Sequence, residues 1–522
     1  MAEEVQARAA LRSFDPVAGT VIGEVAASSP ADVREVVARA REAAPSWAAL
    51  GVEGRARALR EVRHLVYERM DDILDTICAE NGKPRAEALS QDVLPSLMTL
   101  KYLELIAPRA LKAERAGPLV APLMGLTSRI EWRPFGVVGC ISPWNYPMLL
   151  SFMAITPALL AGNSVVLKPS ELTPSVGERI REVLRPLPDG VATVVQGGAD
   201  VGAALVDAPC DKLCFIGSAA VGRKIAEGAA RHLTPVVMEL GGQDAAIVCA
   251  DADLDVASSG VLFGAFLNAG QACCAIERVY VVDSVADRFE QLLVSKLARV
   301  RQGAAGAGRS EMEIGPLTVP RQLELVRRHV ADAVSRGAKV LAGGPDGRAG
   351  RDGLWYAPSI LEGRSEDMAM FSEETFGPVL PVVRVRDEEE AVRRANEEGA
   401  NLTASVWTGD AGRGRALASR IKAGTITIND HAVTAAAPWG LWGGVGASGY
   451  GRLSGKLGLR ELAAPVHVAT NAVPRLKRLW WYPYDQPTTR SLRALADALS
   501  APKTTQRLKA VMSLAANAGR SL

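Results

Sequence analysis

Histidine is scarce in this sequence. Five occur in 522 residues (His64, His232, His329, His431 and His467), and none stands at metal-ligand spacing from another. A zinc enzyme, or a hydrolase built on a Ser–His or Cys–His pair, is therefore short of raw material. The seven cysteines contain no C-x-x-C pair, and their odd number argues against a disulfide framework; a reducing, cytoplasmic setting is expected. An excess of charge is missing too. Lys and Arg number 60 against 58 Asp and Glu, a formal net charge of +2, which gives no electrostatic reason to expect nucleic acid. Met1-Ala2-Glu3-Glu4 lacks the basic and then apolar order of a secretory signal, so no export is expected. One stretch, between Arg133 and Lys168, has no Asp, Glu, Lys or Arg. It is not read as a membrane span, because Pro134, Pro143, Pro147 and Pro157 with Asn145 and Asn163 would leave polar groups unsatisfied in lipid. A buried core segment carrying a functional loop fits better.

What is present is ordinary globular composition, 48% hydrophobic and 23% charged, in a chain long enough for two or three domains. Ser29-Pro30 followed by Val33, Val36, Val37, Ala40 and Ala44 gives a cap, a first-turn proline and a helical apolar face. A second helix is expected from about Arg55 to Glu80, closing at Asn81-Gly82, and a third through the nineties to about Ile106. Short apolar runs follow at Ser164 to Leu167, Leu213 to Ile216, Ala245 to Cys249, Val279 to Val282, Leu380 to Val385, Ala404 to Trp407 and Thr425 to Ile428. Their alternation with helical patterns predicts α/β architecture with largely parallel sheets. The glycine-rich stretches 303–308 and 343–353 read as surface connections.

With histidine scarce, cysteine is the nucleophile that needs least help. Gly270-Gln271-Ala272-Cys273-Cys274 precedes a strand, so Cys273 falls in a loop at an element boundary. Glu239 ends an apolar run beside Gly241-Gly242, where it can face a cleft and serve as a base. Taken singly, a cysteine is more often core and such a glutamate more often a solvated turn.

The motifs come in an order that resembles the aldehyde dehydrogenase superfamily from about Phe14 to about Leu462. They are Pro134-Phe135-Gly136-Val137-Val138-Gly139, Pro143-Trp144-Asn145-Tyr146-Pro147, Lys168-Pro169-Ser170-Glu171, Phe215-Ile216-Gly217-Ser218, Glu239-Leu240-Gly241-Gly242, Gly270-Gln271-Ala272-Cys273 and Glu373-Glu374-Thr375-Phe376-Gly377-Pro378. The resemblance implies Cys273 as nucleophile, Glu239 as general base, and the Asn145 amide with the Cys273 N–H as oxyanion hole. It implies a cofactor, NAD with NADP as the alternative, held by Trp144, Lys168, Glu171, Gly217, Ser218, Gly222, Glu374 and Phe376. Tyr146, Leu150, Met153 and Trp442 would line a substrate tunnel that reads as apolar and aromatic, suited to an apolar or aromatic aldehyde. Gly444-Val445-Gly446-Ala447-Ser448-Gly449 matches a dinucleotide fingerprint by letter, but its context resembles the family's C-terminal glycine-rich loop. The chain departs from the family pattern at Ile216, Gln243, Asp244 and Leu441.

The implied fold is a Rossmann-like cofactor domain (1–115 and 131–240), an α/β catalytic domain (241–430), a glycine-rich loop returning to the cofactor domain (431–455) and a small β oligomerisation flap (116–130 and 456–472). A homodimer or homotetramer follows from the resemblance. Two rivals are an enzyme that passes its thioester to coenzyme A and a non-catalytic binding protein on the same fold; Glu239 speaks against the first, and the Cys273, Glu239 and Asn145 set against the second. Residues 473–522 form a basic extension with nine Lys or Arg against Asp485 and Asp497. Arg475 to Tyr484 sets aromatics among cations, and the leucines after it stand at helical spacing. Packing on a neighbouring subunit is expected; the alternative is a peripheral membrane contact.

Overall fold

The computed structural model describes residues 10–117, 126–303, 312–344, 353–363, 367–397, 402–473, 481–482 and 484–518, with side chains to residue 514. The stretches 304–308 and 345–352, most of the flap segment 118–125, and the tail segment 474–480 with residue 483 lie outside them.

The first helix starts where its cap predicts. Ser29 Oγ accepts the Asp32 N–H at 3.2 Å and Asp32 returns a bond to the Ser29 N–H at 2.8 Å, a reciprocal box that opens Pro30–Ala49 with Val33, Val36, Val37, Ala40 and Ala44 buried. The expected second helix is two, Gly51–Glu68 and Met70–Asn81, because Arg69 leaves helical geometry (φ −96°, ψ 12°) between them. Gly82, at φ +82°, closes the second piece as Asn81-Gly82 predicts. A single π turn, Leu89–Val93, precedes Leu94–Ala110. The turn brings Asp92 inside, where its carboxylate accepts the Leu149 N–H at 2.6 Å.

The charge-free stretch is the centre of a βαβ unit: strand Val137–Ile141, helix Pro147–Ala161 buried on every face, and strand Ser164–Lys168. No helix among the described residues is long and apolar enough to cross a membrane.

Two sheets form. One runs, in spatial order, Gly449–Tyr450, Val236–Leu240, Lys212–Gly217, Val137–Ile141, Ser164–Lys168 and Ala192–Val194, parallel except for the first. The chain starts it at Val137–Ile141, builds outward on one side, and then returns to build on the other. That reversal opens a crevice at the carboxyl ends of the strands, where α/β sheets bind ligands. The second sheet, of seven strands, contains Asp244–Val248, Ile276–Val282, Val379–Val385, Thr403–Trp407 and Thr425–Ile428, all parallel to their neighbours. Each expected apolar run is therefore a strand.

By compactness the chain divides into Met1–Lys112 with Trp132–Ala464, and Ala113–Glu131 with Pro465–Leu522. Within the second unit, Gln486–Ser500 and Thr504–Ala518 form a helical hairpin. Trp481, Tyr482, Tyr484, Leu499, Leu508 and Met512 are all exposed.

Candidate active site

Four parallel strands end on one crevice, and each delivers part of the site. After Ile141 the chain turns through Trp144 and Asn145; Lys168 ends the next strand, Gly217 the third, and Glu239-Leu240 the fourth. The register sets Ile141 beside Lys168 and Phe215, and Ile216 beside Glu239. The crevice encloses about 960 Å³, and its walls include Trp144, Asn145, Leu150, Lys168, Glu171, Gly217, Ser218, Glu239, Cys273, Glu374 and Phe376.

Cys273 arrives from the seven-stranded sheet, on the loop before Ile276–Val282. Asn268, Ala269 and Gly270 all have left-handed φ (49°, 55° and 74°), and a Cβ on Gly270 would stand 2.2 Å from Gly377 O. The turn is thus tight enough that position 270 excludes other residues. Among the seven cysteines, all within the described residues, Cys273 alone is partly exposed. The neighbouring Cys274 thiol, burial and the Glu239 carboxylate push its thiol well above the ordinary range, so at rest it holds its proton. Glu239 is buried and pushed up to about 7, by burial first, against the lowering effect of donors on Trp442 and Cys273. A base poised near neutrality thus stands close enough to the nucleophile's thiol for each to shift the other's ionisation.

Asn145 is fixed from three sides: its Nδ2 donates to Gln271 O at 3.0 Å, and its carbonyl accepts from Lys83 Nζ at 2.6 Å and Asn268 Nδ2 at 3.0 Å.

On the other wall, Ser218 caps helix Ala219–Arg231, whose N–H groups and positive dipole end suit a phosphate. A Cβ on Gly217 would meet the Phe215 ring at 2.6 Å, and one on Gly222 the Leu240 side chain at 2.7 Å. Lys168 Nζ is bound to Glu171 Oε2 at 2.7 Å, and despite partial burial that lysine holds the Glu171 carboxyl below its usual range. The Trp144 and Phe376 rings meet edge to face, 5.8 Å between centroids. Glu374 Oε1 is shielded from water and has no hydrogen-bond partner; a ligand hydroxyl would satisfy it. A dinucleotide fits these walls.

The family profile "Aldehyde dehydrogenase family" matches residues 3–468. The chain belongs to the aldehyde dehydrogenase family. It is 37% identical over 489 residues to 4,4'-diapolycopene aldehyde oxidase of Methylomonas sp., covering 93% of this chain and 91% of that one. It is also 37% identical to a Mycobacterium bovis protein provisionally named a succinate-semialdehyde dehydrogenase [NADP(+)], covering 88% and 89%. Among solved structures, PnpE from Pseudomonas sp. WBC-3, also crystallised with nicotinamide adenine dinucleotide, superposes in that complex with a TM-score of 0.85 at 32% identity, over 90% of this chain and 96% of that one. This aldehyde dehydrogenase is accordingly an NAD(P)-dependent oxidoreductase acting on an aldehyde.

Not every tunnel residue lies on the crevice. Leu150 does, whereas Tyr146, Met153 and Trp442 are buried in the apolar cluster against which Cys273 packs. The Tyr146 hydroxyl donates to Gln91 Oε1 at 3.2 Å. Sequence reasoning passed over Lys83, which is fully buried, 3.7 Å from Asp92 and 4.1 Å above the Tyr146 ring; a lysine between Gly82 and Pro84 looks like a solvated turn. It also passed over Glu277. Of the family departures, Gln243 donates to Met370 O at 3.5 Å. Asp244 is a tie within the sheet, accepting the Leu402 and Thr403 N–H groups at 2.8 Å each.

Proposed function

We propose that Cys273 is the nucleophile, Glu239 the general base and Asn145 with the Cys273 N–H the oxyanion hole of an aldehyde oxidation that proceeds through a thioester. The observation that carries this is that Glu239, Cys273 and Asn145 line one crevice, with the Glu239 carboxylate close enough to act on the Cys273 thiol. The Cys273 thiol gives up its proton to solvent, and its Sγ attacks the aldehyde carbon. The resulting oxyanion faces preorganised donors, one of which is typically worth roughly 3 kcal/mol. NAD(P), when bound, supplies the hydride acceptor, and Trp144, Lys168, Glu171, Gly217, Ser218, Gly222, Glu374 and Phe376 are the residues that would hold it. Glu239 then deprotonates a water that cleaves the Cys273 thioester, releasing the acid and the thiol. Single-turnover kinetics of Glu239→Gln test the assignment: hydride release in one burst with stalled thioester hydrolysis is expected, and unimpaired steady-state turnover at neutral pH removes Glu239 from the role.

An apolar or aromatic aldehyde is the substrate class we infer, supported by Leu150 on the wall and by Tyr146, Met153 and Trp442 in the apolar cluster behind it. NAD is inferred as the preferred cofactor, since a 2′-phosphate near the ribose position would meet the Glu171 carboxylate. A homodimer or homotetramer is inferred, with the exposed apolar side chains of the 473–522 extension covered by a neighbouring copy.

A further inference from the structure

Trp442 is fixed before it meets the base. Its N–H donates to Leu453 O at 2.9 Å and its carbonyl accepts from Leu453 N at 2.7 Å, a two-rung bridge that anchors the backbone under the indole. The side chain is 2% exposed, and its Nε1–H donates to Glu239 Oε1 at 3.0 Å. Glu239 is held from the same loop on its backbone side as well: Gly449 stands opposite it in the antiparallel pair, and a Cβ on Gly449 would lie 2.1 Å from Met238 O. One glycine-rich segment thus presses on the strand and supplies a donor to its side chain. The Cys273 thiol lies by the same carboxylate, so the base stands between its nucleophile and a donor on a rigid ring.

A phenylalanine would fill nearly the same space in the apolar cluster. It has no N–H. The bond is therefore what the indole adds, and a buried carboxylate that loses a donor is both less constrained in rotamer and harder to ionise.

Resting on the reading of Glu239 as general base, we propose that Trp442 is a positioning residue: its indole N–H holds the Glu239 carboxylate in register with Cys273 and favours the ionised form in which it deprotonates water. The groups that face or bear on Glu239 are the Cys273 thiol on the nucleophile loop and the Glu374 carboxyl on the loop 373–377, with Asp244 bearing in turn on both. All three are acids and none is a cation, so the donor with a defined geometry on Glu239 is the indole N–H.

The experiment compares the pH dependence of steady-state turnover, the burst of hydride release and the aldehyde KM in the unmutated enzyme, Trp442→Phe and Glu239→Gln. It adds a variant whose Trp442 indole is replaced by benzothiophene, which keeps the ring and removes only the N–H. Trp442→Phe and the benzothiophene variant are both expected to move the ascending limb of turnover about one pH unit to the alkaline side. Turnover near pH 7 should then fall several-fold, while the burst stays stoichiometric and the aldehyde KM stays within about twofold. Limbs that do not move, or a rise in KM alone, overturn the proposal and leave Trp442 as a packing residue. If Trp442→Phe melts, the benzothiophene variant decides by itself. If Glu239→Gln itself keeps turnover and its pH limb, the reading of Glu239 as base has failed, an outcome separate from an unmoved limb in the two Trp442 variants.

Discussion

The Glu277 carboxylate grips the backbone of Phe376. Its Oε1 accepts the Phe376 N–H and its Oε2 the Thr375 N–H, each at 2.8 Å. Phe376 sits at a left-handed φ of 48°, which a phenylalanine does not adopt unaided. The side chains that line the crevice on either side of Thr375, Glu374 and Phe376, thus take their places from a buried acid of the neighbouring sheet. Glu277→Gln turns one acceptor into a donor that faces an N–H. The expected result is a rise of about tenfold in the Kd for NAD, the equivalent of roughly 1.4 kcal/mol, measured by fluorescence titration. An unchanged Kd would show that the loop holds its shape without Glu277.

Cys273→Ala should abolish dehydrogenase activity while NAD binding persists, because the other six cysteines are fully buried. Cys274→Ala should keep activity. The Cys274 thiol is the first cause raising the Cys273 thiol, so its removal should also shift the rate of Cys273 alkylation by iodoacetamide toward lower pH. Substantial turnover by Cys273→Ala would rule out the mechanism.

Glu239 links activity to stability. Burial raises its carboxyl from 4.5 to about 7, so the folded protein binds a proton that the unfolded chain releases. The destabilising contribution is absent below pH 4.5, grows between 4.5 and 7 and is complete above 7. Glu239→Gln, which cannot ionise, is expected to melt higher than the unmutated enzyme at pH 8, by at most about 3 kcal/mol. The difference should shrink as pH falls toward 4.5. Calorimetry across this range checks it; a variant that is less stable at pH 8 contradicts the sign.

We propose Glu171 as the basis for cofactor choice, since a carboxylate paired with Lys168 would repel a 2′-phosphate bound beside it. NAD is expected to give the higher kcat/KM, with Glu171→Ser narrowing the gap about tenfold. A higher kcat/KM with NADP in the unmutated protein refutes this.

On the proposed homo-oligomer, deleting residues 473–522 is expected to lower the melting temperature more than kcat, since Leu499, Leu508 and Met512 are exposed in the single chain and would be covered by a second one. Sedimentation velocity and liposome flotation separate the alternatives. A truncated protein that keeps its oligomeric state and Tm, but no longer binds the anionic vesicles that capture the full chain, would make the extension a membrane contact instead.

Local chemistry settled much of this protein in advance. The Ser29 cap, the Asn81-Gly82 stop and the apolar runs that became strands are properties of a few adjacent residues, which backbone sterics and periodicity decide wherever they occur. The motifs bring Cys273, Glu239, Asn145, Trp144, Lys168, Glu171, Gly217, Ser218, Glu374 and Phe376 to one crevice, whereas Gly222 does not line it. Folding decided what depends on partners far along the chain. A break at Arg69 divides a helix that periodicity reads as continuous. Lys83, which looks like a solvated turn residue, is buried against Asn145, 62 positions away, and Trp442 donates to Glu239 across 203. Asp244 becomes a sheet tie and Glu277 a clamp on Phe376 because burial leaves each carboxylate only the N–H groups that the neighbouring strand or loop presents. No window of sequence contains both members of such a pair, and the dielectric around each is set by the packed core.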